Sequence, residues 1–119
     1  MSAEIVNVSQ NVLTLKVSGK LTQSELATAQ HQAADILEKE GKKRMLVLVH
    51  DFQGWGKGDW GDLTGQAAID PLIDRIAIVG EARWRDLALL FAGKGIRRVA
   101  IEYFPSAEVA QAQAWLAAA

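Results

Sequence analysis

The sequence contains no cysteine among its 119 residues. Disulfide bonds, thiolate catalysis and cysteine-based zinc sites are therefore excluded. No apolar run approaches the roughly 20 residues that a membrane-spanning helix needs. The segment from Met1 to Glu4 also lacks the basic stretch followed by an apolar one that opens a secretory signal. We therefore expect a cytoplasmic protein.

An excess of charge of one sign is also missing, because 13 basic and 14 acidic residues leave a net charge of −1. Nucleic-acid-binding domains usually carry a clear basic excess, so no nucleic-acid partner is predicted. The hydrophobic fraction is 50% and the charged fraction 23%, which is typical of a folded globular protein. At this length we expect one domain over residues 1–119.

The chain opens with two short strand patterns, at residues 5–8 and 12–17, which predict a β-hairpin with its turn at residues 9–11. In the second strand, apolar residues alternate with polar ones such as Thr14. Such alternation is typical of a sheet with one buried and one solvated face, so Thr14 is expected to face water.

Helix and strand signals then alternate to the end of the chain. Thr22 and Glu25 have the spacing of a capping box and predict a helix from Gln23 that ends at Gly41. Further strands are predicted at residues 45–49, 74–80 and 96–104, and the last of them is expected towards a sheet edge. Further helices are predicted at residues 60–70, from residue 84 to a stop at Gly93, and after residue 105. The expected fold is α/β, with an N-terminal β-hairpin, a mostly parallel sheet and about four helices.

The stretch from His50 to Asp62 combines four glycines with Trp55 and Trp60. Glycine permits backbone conformations that other residues avoid, and amphipathic aromatics on such a segment favour contact with a ligand, partner or membrane interface. The alternative is that both tryptophans fold back over the end of the sheet. With parallel strands, this stretch lies at the carboxyl edge of the sheet, together with the segments after Val79 and Glu102, where ligands tend to bind.

Catalytic, metal and phosphate chemistry is only weakly indicated. His50 and Asp51 have the residue types of a general base and its partner, but neighbours on an extended strand point to opposite faces, and no nucleophile accompanies them. The nearby acidic residues fit no calcium-loop pattern; they are Asp51, Asp59, Asp62 and Asp70. The glycine run at 54–58 lacks P-loop spacing. We predict no catalytic residue and no metal site, and an enzyme using His50 is the least favoured alternative.

Three segments resemble a known family. They are residues 51–55 with Trp60, residues 75–80 with Trp84, and Tyr103-Phe104 with residues 114–116. Their order and spacing over nearly the whole chain resemble the bacterial SpoIIAA-like (STAS-like) proteins. The resemblance implies an α/β superhelix of strand and helix units, like that of sporulation anti-sigma-factor antagonists and lipid-binding CRAL-TRIO domains. The phosphorylated serine of signalling STAS domains has no counterpart here, and Thr64 is a weak substitute.

The leading prediction is a non-enzymatic binding module for a small apolar or amphiphilic ligand, without a cofactor and with peripheral association at an anionic membrane surface. The predicted binding residues are aromatic or basic and are Phe52, Trp55, Lys57, Trp60, Arg83, Trp84, Arg85 and Phe104. Each basic side chain contributes about 1 kcal/mol near an anionic membrane. The alternative is a STAS-type interaction or signalling module that binds a protein partner, a second copy of the chain or a nucleotide.

Overall fold

The computed structural model describes residues 2–9, 11–41, 44–62, 64–95 and 97–118. Within these ranges the chain forms a five-stranded sheet whose strands follow one another in chain order. They are β1 (Ala3–Ser9), β2 (Val12–Leu21), β3 (Arg44–Trp55), β4 (Arg75–Gly80) and β5 (Ala100–Pro105). β1 and β2 pair antiparallel, and the other three pairings are parallel. The predicted hairpin, the parallel sheet and the edge position of β5 are confirmed.

Four α-helices lie within the described ranges. They are α1 (Gln23–Glu40), α2 (Thr64–Ile69), α3 (Arg85–Ala92) and α4 (Val109–Ala117). Short 3-10 turns adjoin the last three, at Asp70–Leu72, Ala82–Trp84 and Ser106–Glu108. Strand and helix therefore alternate after the hairpin, as the sequence predicted.

The sheet separates two hydrophobic layers of different size. The larger layer packs α1, α2 and α3 on one face and includes the fully buried Leu13 and Leu37. The smaller layer packs α4 on the other face, where Leu46 and Ala77 meet Leu116. Because both faces are covered, the central strand β4 is apolar at successive positions and is buried from Ile76 to Gly80.

The start of α1 is tied to the first strand through one carboxylate. Thr22 Oγ1 accepts from the Glu25 backbone N–H at 3.3 Å, which confirms the Thr22 half of the capping box. The Glu25 carboxylate accepts from the Ser2 N–H at 3.1 Å and not from the Thr22 N–H. The Thr22 N–H donates to Ser2 Oγ at 3.2 Å, and the Ser2 hydroxyl donates to Glu25 Oε1 at 2.6 Å. The Ser2 hydroxyl, followed by the Ser2 amide and Thr22, lowers the pKa of Glu25 by favouring its ionised form.

Two arginines hold the C-terminal end of α4 against the sheet. Arg44 Nη1 donates to the carbonyls of Leu116 and Ala118, the latter at 2.6 Å. Arg75 Nη1 donates to the Trp115 carbonyl at 2.6 Å, and its guanidinium lies 5.3 Å from the centre of the Trp115 ring. The last carbonyls of a helix have no partner within the helix, so these contacts satisfy them and fix α4 beside the starts of β3 and β4.

Several predicted boundaries differ from the structure. The strand expected at 45–49 continues to Trp55, because residues 50–55 pair with the extended end of β2. The helix expected from Trp60 begins at Thr64, where the Asp62 carboxylate accepts from the Thr64 N–H at 3.1 Å. The strand expected at 96–104 begins at Ala100. Residues 10 and 96, which the predicted hairpin turn and last strand include, lie outside the described residues.

Thr14 also differs from its predicted environment. Its exposure is only 6%, although the alternation placed it on a wet face. In register it lies beside Leu46, which belongs to the layer that α4 covers. Thr14 therefore lies on the face of the sheet where the final helix covers the neighbouring strand, a position that the local pattern could not show.

The lowered pKa of Glu25 makes a pH-dependent prediction. The ionised carboxylate stabilises the fold at pH values above its ordinary pKa of 4.5, and this stabilisation is lost as the pH falls through the lowered value. We expect Glu25→Gln to reduce the thermal midpoint at about pH 7, and the difference from the unchanged protein to shrink towards about pH 3. Circular dichroism melts measure both, with Glu38→Gln on the exposed side of α1 as control. An equal difference at both pH values would contradict this account.

Candidate functional site

The site begins with two irregularities in the pairing of β3 with β2. In register, Ser18 lies opposite His50, but the next residue of β2, Gly19, lies opposite Phe52, so Asp51 is an extra residue in β3. A second shift makes Gln53 an extra residue in the same way. Such bulges re-aim side chains. Phe52 therefore faces the core and is 5% exposed, whereas Asp51 and Gln53 are exposed.

Five aromatic rings meet beyond these bulges, and we call them the aromatic cluster: Phe52, Trp55, Trp60, Trp84 and Phe91. Phe52 lies 5.0 Å from Trp55 and 4.8 Å from Trp84, both edge to face, and the two tryptophans are 5.9 Å apart between ring centres. Phe91 of α3 lies 5.4 Å from Trp55 and 5.3 Å from Trp60. Edge-to-face pairs of this kind each contribute about 0.5–1.5 kcal/mol beyond their buried area.

The glycine-rich stretch is therefore not a free loop. Trp55 and Trp60 are half-buried and pack against the larger hydrophobic layer. Trp60 Nε1 donates to the Gly56 carbonyl at 2.8 Å, and the Gly56 amide donates to the Leu21 carbonyl at 2.7 Å. Both tryptophans thus fold back over the end of the sheet, as the alternative interpretation of the sequence had it.

An apolar cavity of about 130 Å³ lies between the sheet and helices α1, α2 and α3. Strand side chains lining it include Leu15, Val17, Met45, Val47, Val49, Ile76, Ile78 and Tyr103. Helix side chains lining it include Leu26, Gln30, Gln66, Ile69, Ala88 and Ala92, and four rings of the aromatic cluster, all except Trp60, complete the wall. An engineered apolar cavity of roughly 150 Å³ binds benzene. The cavity therefore fits a benzene-sized or short-chain apolar group.

Two buried polar atoms at this cavity lack a partner within the described part of the chain. They are the indole Nε1 atoms of Trp55 and Trp84. Leaving a buried N–H without an acceptor costs about 1–3 kcal/mol. Arg97, which also lines the cavity, is satisfied, because its guanidinium pairs with Asp70 and donates to the Ala92 carbonyl at 3.1 Å.

The predicted basic residues lie at the surface around the cluster. The Arg83 guanidinium lies 5.1 Å from the Trp84 ring centre, and its Nε is 3.3 Å from Glu81 Oε2. Arg85 pairs with the neighbouring carboxylate of Asp86 at 3.1 Å, and Lys57 is exposed in the turn after β3. Each arginine has a carboxylate beside it, so the positive potential here is local rather than a broad basic surface.

The family model described as SpoIIAA-like matches residues 12–117. The chain belongs to the SpoIIAA-like family. The search of curated proteins found no match. Among solved structures, the chain resembles an uncharacterized protein from the DUF3478 family with a SpoIIAA-like fold, from Shewanella loihica PV-4, solved at 2.25 Å resolution. The two structures have a TM-score of 0.63 and 22% sequence identity, and the match covers 97% of this chain and 94% of that one.

Membership of the SpoIIAA-like family confirms the resemblance found in the sequence and the α/β fold that it implied. Domains of this family are generally non-enzymatic interaction modules. At 22% identity, the likeness to the solved structure supports the fold alone. Among the described residues, no helix is long and apolar enough to cross a membrane.

Phe104 is the one predicted site residue that lies on the opposite face of the SpoIIAA-like sheet. It packs in the smaller layer, 6.1 Å from Trp115 of α4. Strand alternation explains this position, because its neighbour Tyr103 lines the cavity on the other face. Phe104 is therefore near the same end of the sheet as the aromatic cluster but does not touch the cavity.

His50 and Asp51 pair, contrary to the expectation that neighbours on a strand point apart. His50 Nε2 lies 3.1 Å from Asp51 Oδ2. The bulge explains the contact, because Asp51 has a φ of 49° and its side chain leaves the regular alternation. Both side chains are exposed, and neither lines the cavity.

The acidic residues and Thr64 have structural partners in this SpoIIAA-like chain. In the described ranges, no group of three or more His, Asp or Glu side chains is arranged to hold a metal ion. The Thr64 N–H and hydroxyl both donate to the Asp62 carboxylate, and these bonds lower the pKa of Asp62. A phosphate on Thr64 would therefore lie beside a carboxylate and be repelled.

Phe91 and Tyr103 are among the cavity residues that were missing from the predicted site. Phe91 lies seven residues after Trp84, a spacing of two helical turns that places both on one side of the same segment. Tyr103 follows from the alternation with Val99 and Ile101. Its hydroxyl donates to the Glu81 carbonyl at 2.6 Å, and burial, followed by the nearby Glu81 charge, raises the pKa of Tyr103.

Gly54 offers a stability test of the segment that carries the tryptophans. Its φ of 99° favours glycine, and an added Cβ would lie 3.8 Å from the Trp84 ring. We expect Gly54→Ala to lower the free energy of unfolding by about 1–2 kcal/mol.

Urea unfolding followed by tryptophan emission measures this change. Gly61→Ala is the matched control, because Gly61 lacks a positive φ and an added Cβ would come no closer than 3.4 Å to Asp59 Oδ1. The control should stay within about 0.5 kcal/mol. Equal effects of the two substitutions would refute the role given to the Gly54 backbone.

Proposed function

We propose that this SpoIIAA-like chain is a non-enzymatic binding module that holds a small apolar or amphiphilic ligand between its sheet and helices α1, α2 and α3. The observation that carries the proposal is the cavity of about 130 Å³, whose wall is mainly aliphatic and aromatic. Small-molecule sites are typically apolar concavities with a few polar groups that fix orientation. Here those polar groups are the indole N–H groups of Trp55 and Trp84.

A nucleotide fits this cavity less well. Phosphate sites offer several free backbone amides or unpaired cations. The amide of Gly56 in the glycine-rich segment is already bonded to Leu21, and the Arg97 guanidinium is paired with Asp70. The apolar lining therefore favours a hydrocarbon group over a phosphate.

The exposed side of α3 supports the second part of the proposal, which is peripheral association with a membrane. Leu87, Leu90 and Phe91 are 50%, 78% and 42% exposed, and they recur at helical spacing. Phe91 also lines the cavity, so the same helix meets both the solvent and the ligand space. Arg83 and Arg85 precede this apolar face and complement the charge of anionic lipid headgroups. We propose that α3 docks on an anionic membrane and that the ligand enters beside it.

Filling the cavity tests the ligand-binding proposal. Toluene is a suitable probe because it has the size that the cavity fits and is mainly apolar. Ala88→Leu on α3 should weaken toluene binding, measured by calorimetry, by at least about tenfold, since the added carbons occupy the cavity. Ala110→Leu, on an exposed position of α4, should leave it unchanged.

Circular dichroism establishes that each variant is folded, and Ala92→Leu replaces Ala88→Leu if the latter unfolds. Absence of toluene binding to the unchanged protein, or equal binding by the filled variants, would refute a ligand in this cavity.

Removing the apolar face of α3 tests the membrane proposal. Leu87→Ser with Leu90→Ser should abolish co-sedimentation with vesicles of phosphatidylglycerol and phosphatidylcholine, because these side chains lose their burial in the lipid. Val6→Ser is the control, since Val6 is a 48% exposed apolar residue on β1. Pure phosphatidylcholine vesicles should bind the protein more weakly.

Light scattering tests whether the apolar face of α3 binds a second copy of the chain and not a membrane. If the protein does not bind vesicles, and its mass rises with concentration unless Leu87 and Leu90 are both substituted, the partner of this face is a second copy of the chain and not a membrane.

A further inference from the structure

We infer that the ligand of this cavity is a short-chain carboxylate whose oxygens accept hydrogen bonds from the indole N–H groups of Trp55 and Trp84. The inference rests on the proposed function, since it names the chemistry of the ligand held at the same site. Its basis is the coincidence of two features: an apolar cavity and two buried donors on rings that line it.

Buried donors without acceptors are uncommon in folded proteins, and each calls for a physical reason. The two rings lie 5.9 Å apart between their centres, and both touch Phe52, so the rings belong to one end of the cavity. Trp60, the third tryptophan of the aromatic cluster, donates to the Gly56 carbonyl at 2.8 Å. Within the described residues, the indole N–H of Trp60, which does not line the cavity, has a partner, and those of the two rings that line it have none.

Two of the polar groups that line the cavity, besides the amides of Gln30 and Gln66, already have partners within the protein. The Tyr103 hydroxyl donates to the Glu81 carbonyl, and Arg97 is paired with Asp70. A water molecule is a poor substitute for a ligand, because it has two hydrogens of its own and needs two to four polar partners. In an apolar space, an oxygen that only accepts is the better match for two N–H groups.

A carboxylate matches the two donors better than a neutral carbonyl when its hydrogen bonds offset the cost of burying its charge. An ionised carboxylate offers two oxygens and about four lone-pair directions, enough for both indoles. Hydrogen bonds to an ionised acceptor are also about twice as strong as those between neutral groups. The Arg83 guanidinium lies 5.1 Å from the Trp84 ring centre, and its Nε is 3.3 Å from Glu81 Oε2, so its charge is shared with that carboxylate. The apolar chain of the ligand would then occupy the space lined by the strand residues Val47 and Ile78.

The test compares three probes of similar size: sodium hexanoate, 2-heptanone and toluene. Trp55→Phe and Trp84→Phe keep an aromatic ring but remove the donor together with part of the indole, so the toluene affinity of each variant reports the change in cavity shape. We expect the affinity for hexanoate relative to that for toluene to fall about 10- to 100-fold in each variant. Hexanoate should also bind the unchanged protein more tightly than 2-heptanone. Calorimetry measures the affinities.

Trp60→Phe is the matched control. It removes a donor that is already paired within the protein, so it should lower the urea midpoint while leaving the hexanoate affinity unchanged. Trp55→Phe and Trp84→Phe should instead lose hexanoate affinity relative to toluene affinity, in addition to any fall in the urea midpoint from the lost ring contacts. In proton and nitrogen correlation spectra, hexanoate should move the indole resonances of Trp55 and Trp84 downfield, while that of Trp60 stays in place.

The outcomes separate this inference from the proposed function. If toluene binds but hexanoate binds no better in the unchanged protein than in the phenylalanine variants, the cavity binds ligands and the carboxylate inference is overturned. The same holds if the indole resonances of Trp55 and Trp84 do not move, because the N–H groups would then donate to the faces of neighbouring rings. Equal affinities for hexanoate and 2-heptanone would overturn the choice of a carboxylate. If no probe binds, both proposals are overturned.

Discussion

The site depends on the way β3 pairs with β2 beyond Val49. Two extra residues, Asp51 and Gln53, interrupt the regular alternation of β3: the first brings Phe52 to the face that carries the cavity, and after the second Trp55 lies on that same face. A strand without these bulges would direct Asp51 towards the apolar interior and Phe52 towards the other face. The unusual backbone of Asp51 and Gly54 is therefore part of how the cavity wall is built, because it places aromatic rings where an ordinary strand would place polar side chains.

The region around the cavity has more energetically unfavourable features than the rest of the fold. Within the described residues, two buried indole donors have no partner, an apolar space is left open, and α3 exposes large apolar side chains. The first two of these features reduce stability. The opposite end of the sheet is well satisfied, since Arg44 and Arg75 bond the last carbonyls of α4. Departures from good packing that gather in one place are expected where a protein binds something.

Local patterns in the sequence predicted the fold well, because its main determinants are local. The N-cap at Thr22, the helix stop at Gly41 and the succession of strands and helices along the chain all follow from short-range signals. The site was harder to predict, because bulges depend on pairing between strands that are distant in sequence. The contact between His50 and Asp51 and the continuation of β3 both arise from that pairing. The position of Phe104 could have been predicted from the sequence, because strand alternation places it on the face opposite to Tyr103.

The division of the core by the sheet has a consequence for how this chain can change over generations. The layer under α4 contains Leu46, Ala77 and Leu116 and shares no side chain with the cavity wall. Substitutions that improve packing there can supply a reserve of stability, and variants that reshape the cavity at some cost can then still fold. The layer under α4 can thus maintain the stability of the fold while the cavity on the other face changes its ligand, which makes this small sheet a favourable starting point for evolving new specificities.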